Sequence, residues 1–381
     1  MKTSKKGISL IVLIITILVM IIISAAVILY LDDSKVIKNA KKAVTMNNVS
    51  VAKEVVTVAR AEWRTNQEKI KDDGYKTFVK YAEYKLEEAG FIIGTNGGEV
   101  EVSENGLLYA YVQPIIPEGY IASDIDGEDT VAEGLVIYEG DETVSKDEDA
   151  QTTRNQFVWV PVPNMTEFVR KDWGVPTNAV SFDKLTSYNL DSAEEAVEYN
   201  AMKESVAKYG GFYIARYEAG NDNGNVVSKK NVATMTTTAN VGWNESKEKA
   251  ESFTSYSIVS HLIYDEEWDA ALTFISKQDP LYPNNSLGKG WYSDNYSSGN
   301  PNHLTGIDVG ETATNKLNNI YDMAGNMYEY TNAFYNSTRR VVRGGAYGHT
   351  GVNGPAGFRK DSSINGETVT YRTFRVALYL K

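Results

Sequence analysis

Side chains that commonly carry catalysis or bind metals are scarce in this chain. It has no cysteine and three histidines, His261, His303 and His349. The missing thiols exclude a disulfide, a thiolate metal site and a cysteine nucleophile. The histidines are widely separated and begin no compact metal-binding motif, so we expect each to be an isolated surface or loop residue. No G-x-S-x-G elbow is present, and the residues themselves therefore argue against catalysis.

The composition is that of a globular protein. The chain has 381 residues, of which 42% are hydrophobic and 23% charged, enough for one large or two medium domains. The net charge of −12 argues against a nucleic-acid partner, which rewards clustered Lys and Arg. The 25 tyrosines suit a β-rich core, and tyrosine also supplies contact area in binding surfaces.

An unbroken uncharged run occupies residues 8–31. As a helix it would be about 36 Å long, at about 1.5 Å per residue, and would cross a hydrocarbon core of about 30 Å. Three lysines precede the run, and Asp32 and Asp33 follow it. The positive-inside rule therefore predicts a single-pass protein of the cell membrane, with a cytoplasmic N-terminus and an extracellular C-terminal part.

The start of the chain resembles a type IV prepilin. Lys5-Lys6-Gly7 precedes Ile8-Ser9-Leu10-Ile11-Val12, and in that family a peptidase cuts after the glycine, here between Gly7 and Ile8. The resemblance implies a leader at residues 1–7, a transmembrane helix at 8–31 and pilin-like partners. The family has a glutamate where this chain has Val12, which puts filament assembly in doubt more than membrane insertion.

Residues 32–112 are predicted to form a pilin-like stalk of two helices and a hairpin. Apolar residues recur at mostly three- and four-residue spacing between Ile37 and Trp63, as in an amphipathic helix. Phe78, Ala82, Leu86 and Ala89 share one face of a second helix, which Gly90 ends. Two alternating runs joined at Asn105-Gly106 indicate a β-hairpin.

Residues 113–381 are predicted to form an α+β domain rich in loops. Short β-type runs at 157–161, 211–218 and 340–346 are separated by long stretches rich in Asn, Ser, Gly and Asp. Helices are predicted at 191–208, 244–253, with Asn244 as N-cap, and 265–276. We expect Trp159, Trp243 and Trp268 in the core, and Arg343 and Arg375 paired with acids of the fold.

Six segments of this domain resemble, in order, motifs of the formylglycine-generating enzyme / sulfatase-modifying-factor family. They are 211–218, 240–247, 261–268, 319–330 (NIYDMAGNMYEY), 340–347 (RVVRGGAY) and 373–377. The resemblance implies a divergent C-type lectin-like fold over residues 113–381. That family's oxidases hold copper through paired cysteines, and its sulfoxide synthases hold iron through closely spaced histidines. Without cysteine the first activity is excluded, and the histidine spacing does not match the second.

The same resemblance implies a calcium site. Its ligands would be the carboxylates of Asp322 and Glu329 and the carbonyls of Gly325 and Met327. Hard oxygen donors with two negative charges suit Ca²⁺ outside the cell. The alternative is that Asp322 caps a turn and Glu329 pairs with an arginine.

The segment 346–372 is the predicted ligand face. In lectin-like proteins diversified by retroelements, this position carries residues varied by adenine mutagenesis. Every residue from Ala346 to Phe358 belongs to the set that such codons encode, which excludes Lys, Glu, Gln, Met and Trp; an ordinary family loop is the alternative. The predicted ligand-contacting residues are Tyr347, His349, Asn353, Phe358, Arg359, Asp361 and Tyr371.

Three functions remain open from the sequence. The first is a membrane-anchored, surface-displayed receptor or adhesin whose non-catalytic lectin-like domain binds an exterior protein or glycan. The second is a minor pilin or pseudopilin of a type IV filament or secretion system. The third is an exterior enzyme of unknown reaction.

Overall fold

The computed structural model describes residues 35–91, 93, 100–102, 108–110, 114–140, 148–180, 193–235, 242–293, 305–364 and 371–381. The chain divides into two compact units, residues 1–50 and 51–381. The predicted leader and span, with Gly7 and Ile8, lie outside the described residues. None of the helices in the described ranges is long and apolar enough to cross a membrane.

The predicted stalk contains two helices and a strand pair. Helix α1 is Lys35–Asp72, with non-helical backbone angles at Asn66, and α2 is Phe78–Glu88. Gly90 has a φ of +89°, and the Phe91 amide donates back to the Leu86 carbonyl at 3.0 Å, so the predicted helix stop is confirmed.

Strands β1 Val100–Val102 and β2 Leu108–Ala110 pair antiparallel, with Val102 opposite Leu108. The antiparallel pairing of the two runs is confirmed, but a two-residue turn at Asn105-Gly106 would place Val102 opposite Tyr109 instead. The turn itself lies outside the described residues. The stalk has a small core of its own, formed by Ala52, Val56, Ala59, Ala82, Leu86, Val100 and Val102.

A six-stranded antiparallel sheet forms the centre of the remaining chain. Its spatial order is β3-β4-β5-β6-β16-β9. The strands are β3 Tyr120–Ala122, β4 Val136–Glu139, β5 Gln156–Pro161, β6 Gly211–Ala215, β9 Ile258–Leu262 and β16 Val376–Leu380. The last strand of the chain thus lies between β6 and β9, which ties the C-terminus into the middle of the sheet.

Both faces of this sheet are buried, because successive side chains of a strand point to opposite sides. Val158 and Ile214 pack into one core together with Met202 and Trp268 from the helices. Phe157 and Tyr213 pack into a second core on the other face. The helices of this part are α3 Glu148–Thr153, α4 Ala193–Tyr209, α5 Trp243–Ala250 and α6 Asp265–Ile275. Two 3₁₀ turns occupy Glu251–Phe253 and Ala313–Asn315.

A second sheet has the order β14-β13-β12-β15. Its strands are β12 Tyr328–Asn336, β13 Arg339–Arg343, β14 Arg359–Ser363 and β15 Arg372–Phe374. The pairs β12–β13 and β13–β14 are antiparallel, and β12–β15 is parallel. Two further strand pairs are β7 Gly220–Asp222 with β8 Asn225–Val227, and β10 Lys316–Leu317 with β11 Ile320–Tyr321. The fold therefore mixes helices with largely antiparallel sheets.

Most predicted elements of this part are confirmed within a few residues, and two details are wrong. The three tryptophans are buried, with Trp268 fully inaccessible. The N-cap of α5 is Gly242 rather than Asn244, and it makes no side-chain cap bond. His261, expected at the surface or in a loop, lies in β9 at 7% exposure. There its Nε2 is 2.9 Å from Glu267 Oε2.

Candidate functional site

The predicted ligand face begins in the loop between β13 and β14, residues 344–358, which we call the 344–358 loop. Gly344 and Gly345 both have positive φ, +83° and +73°. A Cβ on Gly345 would lie 2.1 Å from the Gly354 carbonyl oxygen, so only glycine fits this close approach. The Tyr292 hydroxyl donates to the carbonyls of Gly344 and Gly354, at 3.2 and 2.7 Å. The base of the loop is therefore rigidly held.

The His349 side chain links the middle of this loop to its start and to Tyr328. Its Nε2 lies 2.9 Å from the Tyr328 hydroxyl, and its Nδ1 accepts from the Ala346 amide at 3.2 Å. The ring also contacts Tyr328 edge-on and Phe358, at centroid distances of 5.2 and 5.5 Å. Burial, together with the nearby Lys360 ammonium, lowers the pKa of His349 below its usual 6.5.

Several predicted contact residues do present surface to solvent. Tyr347 and His349 are half-buried and Asn353 is exposed. Tyr371 is half-buried and packs edge-on against Tyr328 at a centroid distance of 6.0 Å. These side chains offer aromatic area and amide hydrogen bonding on a backbone that is fixed from below.

Two apolar side chains that the sequence did not single out extend this surface. Val352 is 44% exposed and Leu287 is 53% exposed. The segments that carry them are joined, because the Ser286 amide donates to the Gly351 carbonyl at 2.9 Å. A Cβ on Gly351 would lie 2.7 Å from the Leu287 Cα. Since the two segments are far apart in sequence, no local pattern signals this juxtaposition.

Phe358 and Arg359, predicted on the ligand face, belong instead to the interior. Phe358 is 4% exposed and Arg359 is fully inaccessible. Phe358 stacks on Tyr328 at 6.1 Å. Neither side chain offers surface to a ligand in this structure, because the chain turns inward at Pro355 to enter β14.

Beneath the loop lie four buried charges, Asp265, Asp269, Arg343 and Arg359, all fully inaccessible. Arg343 pairs with Asp265, and its Nη2 donates to Asp269 at 2.7 Å. Arg359 donates to Asp265 at 3.2 Å and to Asp269 at 2.6 Å. Charge is balanced within the set, which is the condition for burying ion pairs. The structural role expected for Arg343 is thereby confirmed.

Asp361, also predicted to contact a ligand, lies in β14 and forms an ion pair with Arg339 of β13. It is half-buried. This pair sits on the strand ladder rather than on the loop, so it borders the candidate face.

The predicted calcium ligands lie around the start of β12. Asp322 accepts from the Gly310 amide and from Asn315 Nδ2, both at 2.9 Å. Glu329 accepts from Nε and Nη2 of Arg375, at 2.9 and 2.6 Å. Gly325 has a φ of +80°. The Met327 amide donates to Glu218 at 3.2 Å. The expected pairing of Arg375 with an acid is confirmed.

This arrangement does not fit a calcium ion as it stands. All four carboxylate oxygens of Asp322 and Glu329 accept from protein donors. In the described ranges no group of three or more His, Asp or Glu side chains is placed to hold a metal ion. Burial raises the pKa of Asp322, and raises that of Glu329 to about 6. The calcium site stays a prediction from the resemblance.

A third acid completes this region. Glu218 is fully buried and accepts from Asn326 Nδ2 at 2.5 Å. Burial, with the nearby Glu329 and Asp322 carboxylates, raises its pKa well above the usual range. Sequence reasoning missed Glu218, although it ends the 211–218 segment that carried the family resemblance.

Of the three histidines, His261 and His349 lie in separate hydrogen-bond networks, and His303 lies outside the described residues.

Comparisons with known proteins leave the family open. No family model matches the sequence, and no curated protein matches it. Among solved structures, PvdO from Pseudomonas aeruginosa is 16% identical over 45% of this chain and 82% of its own, with a TM-score of 0.33. Treponema denticola variable protein 1 is 15% identical over 72% of this chain and 96% of its own, with a TM-score of 0.25. Similarities at this level decide neither the family nor the activity.

Proposed function

We propose that this protein is a membrane-anchored, surface-displayed binding protein whose C-terminal domain, of C-type lectin-like type, binds an exterior protein or glycan without catalysis. One observation carries the proposal. The 344–358 loop exposes Asn353 and holds Tyr347 and His349 half-buried at its surface, on a base held by Tyr292 and by glycines. Rigid backbones that present aromatic and amide side chains lose little conformational entropy on binding.

The chemistry of this face supports binding rather than turnover. Its one titratable group near neutral pH, His349, is bonded to Tyr328 and to its own turn. The Tyr328 hydroxyl is a poor nucleophile at neutral pH, because burial raises its pKa. The absence of cysteine also leaves no thiol chemistry.

Genetic diversification of this loop is part of the proposal, and the structure limits where it would act. The side chains of Ala346 and Phe358 are buried, and Gly351, Gly354 and Pro355 are buried too. Varied residues at these positions would disturb the interior. Diversity is compatible with the fold at 347–348, 350 and 352–353, which are half-buried or exposed, and less so at His349, whose ring nitrogens are both bonded.

Anchoring is proposed from the uncharged run at residues 8–31 after the Lys-Lys-Gly junction. Mass spectrometry of the mature N-terminus tests it. We expect a chain that begins at Ile8. A mature protein that still begins at Met1 would contradict the proposed cleavage. A cut after Ala25 or Ala26 would contradict the proposed membrane anchor as well, because it would remove most of the uncharged run.

The binding face is tested with the full-length protein in nanodiscs on arrays of glycans and extracellular proteins. Any ligand found is measured again with the double variant Tyr347→Ala/Asn353→Ala. We expect the free energy of binding to weaken by about 2 kcal/mol or more, as is typical when anchor residues are truncated. Tyr256→Ala is the matched control, because Tyr256 is 89% exposed in a different turn. A ligand that binds all three proteins equally would move the site away from the loop.

A second candidate function is supported by helix α1. Val51 and Val58 are exposed on it, at 36% and 47%, and a spacing of seven places them on one helix face. Ala52, Val56 and Ala59 point elsewhere, into the stalk core. Two exposed valines on one helix face, in a chain whose first residues resemble a prepilin, suit packing against pilin-like partners. Recovery of the protein in sheared filaments rather than in membranes would favour a minor pilin.

A further inference from the structure

The hydrogen bonds of His349 fix which ring nitrogen carries the proton. The Ala346 amide donates to Nδ1 at 3.2 Å, so Nδ1 must be the unprotonated nitrogen. In the neutral ring the proton then lies on Nε2, which donates to the Tyr328 hydroxyl at 2.9 Å. The backbone thus selects one neutral tautomer.

The same ring closes its own turn. The His349 amide donates to the Ala346 carbonyl at 2.8 Å, so residues 346–349 are joined by both a backbone and a side-chain bond. Ser293 adds two bonds to the His349 carbonyl, from its amide at 2.8 Å and its hydroxyl at 2.7 Å. A Cβ on Gly354 would lie 2.8 Å from Nδ1. The imidazole therefore fills the space between the two halves of the loop.

The surroundings of the ring disfavour a positive charge. Tyr328 and Phe358 pack against it and shield it from water, and Tyr371 packs against Tyr328. Lys360, whose ammonium lies 5.4 Å from the Tyr328 ring centroid, is the charged group that acts on His349. Arg372 lies further along the cluster, over the Tyr371 ring at 5.5 Å. In the part of the chain that the structure describes, no carboxylate is hydrogen-bonded to this imidazole. Burial and Lys360 accordingly lower the pKa of His349.

We propose that His349 is a pH switch for the 344–358 loop, and that its protonation opens the turn at 346–349 and alters the binding face. The protonated ring carries a hydrogen on Nδ1, which points at the Ala346 N–H, so an acceptor becomes a second donor. The turn at 346–349 then loses the hydrogen bond from the Ala346 amide to Nδ1. The imidazolium also places a second positive charge near Lys360.

The sign of the effect follows from the lowered pKa. The closed loop is fully stable above the ordinary histidine value of 6.5, where the ring is neutral in open and closed states alike. Its stability falls as the pH drops through the lowered pKa, because the open loop takes up the proton more readily. Loss of ligand binding in acid rests on the proposed function, whereas the opening of the loop does not.

The test uses the full-length protein with ¹⁵N-labelled histidine, because three histidines give a simple spectrum. Ring nitrogen shifts report the tautomer and the pKa without any ligand. We expect the Nε2–H tautomer at neutral pH. Amide exchange in peptides covering 344–358, corrected for the intrinsic rate, should rise on the order of tenfold between about pH 7.5 and about pH 5.

Two variants control this measurement. His349→Asn offers an oxygen acceptor to the Ala346 amide without titrating, and should remove the pH dependence of exchange in the loop. His261→Asn changes the buried histidine of β9 and should leave the rise intact. A proton on Nδ1 at neutral pH would overturn the proposal. So would a loop that stays equally protected after His349 has titrated. Because no ligand is used, failure here is distinct from failure of the binding function.

Discussion

Arg343, the last residue of β13, donates from Nη2 to Asp269 on α6 at 2.7 Å, and both side chains are fully inaccessible. The bond joins the second sheet to the helix that packs on the central sheet. Arg359, the first residue of β14, reaches the same carboxylate. The strands on either side of the 344–358 loop are therefore fixed to one helix, which holds the two ends of the loop in place.

Breaking this set should cost much more than breaking a surface pair. Arg359→Met leaves Asp265 and Asp269 with too little positive charge in a buried site, and we expect about 3–5 kcal/mol of lost stability. Arg339→Met removes an arginine that is 42% exposed and pairs with Asp361, and should cost about 1 kcal/mol or less. Urea unfolding of the two variants measures the difference. Equal losses would show that the buried pairs do not stabilise the loop base.

Phe358 and Tyr347 belong to the same loop, but Phe358 lies in the interior and Tyr347 at the surface. Phe358→Ala empties a buried position and should destabilise the fold by about 3–5 kcal/mol. Tyr347→Ala truncates a half-buried side chain at the surface of the loop and should cost about 1 kcal/mol or less. Thermal unfolding of both proteins decides the assignment. A large loss for Tyr347→Ala would place that ring in the core as well.

Glu266 on α6 should make stability depend on pH. Burial, helped by the nearby Asp265, raises its pKa from 4.5 to about 7, although Arg170 lies 3.5 Å away. A carboxyl whose pKa is raised on folding stabilises the protein fully below 4.5, and that contribution is lost as the pH rises through about 7. The shift corresponds to about 3 kcal/mol.

The measurement compares the wild type with Glu266→Gln, which keeps the shape but does not titrate. We expect the wild type to lose stability relative to the variant between about pH 4.5 and about pH 7. The contact from Tyr199, at 3.2 Å, remains available to the amide. A constant difference across that range would mean that Glu266 titrates normally.

Local patterns in the sequence predicted the elements, because their causes are local. Asn105-Gly106 predicted the antiparallel pairing of β1 and β2. The one-sided spacing of Trp268, Leu272 and Ile275 predicted α6, and all three side chains are buried, although nearly the whole helix is buried as well. Periodicity reports which face of an element is apolar, and that face is buried wherever the chain packs.

The burial of charge could not be predicted in this way. Acidic side chains at the start of a helix are usually solvated, yet Asp265, Glu266, Glu267 and Asp269 are all buried. The partners of Asp265 and Asp269 come from distant segments, among them Arg343 and Arg359, so only the tertiary fold reveals them. Glu267 differs, because it accepts from the nearby Tyr264 amide. The loop posed the same difficulty, since nothing periodic distinguishes the inward Phe358 from the outward Asn353.

Calcium binding is the remaining prediction, and the structure sharpens its test. If Asp322, Gly325, Met327 and Glu329 hold Ca²⁺, chelation should lower the Tm of the full-length protein. Calcium at 100 times its Kd would stabilise the native state by about 2.7 kcal/mol. Asp322→Ala should abolish this dependence, while Asp361→Ala, at an acid outside the predicted ligand set, should retain it. A Tm unaffected by chelator would mean that Arg375, Asn315 and the Gly310 amide are the only partners of these carboxylates, and that the turn before β12 is held by protein contacts alone.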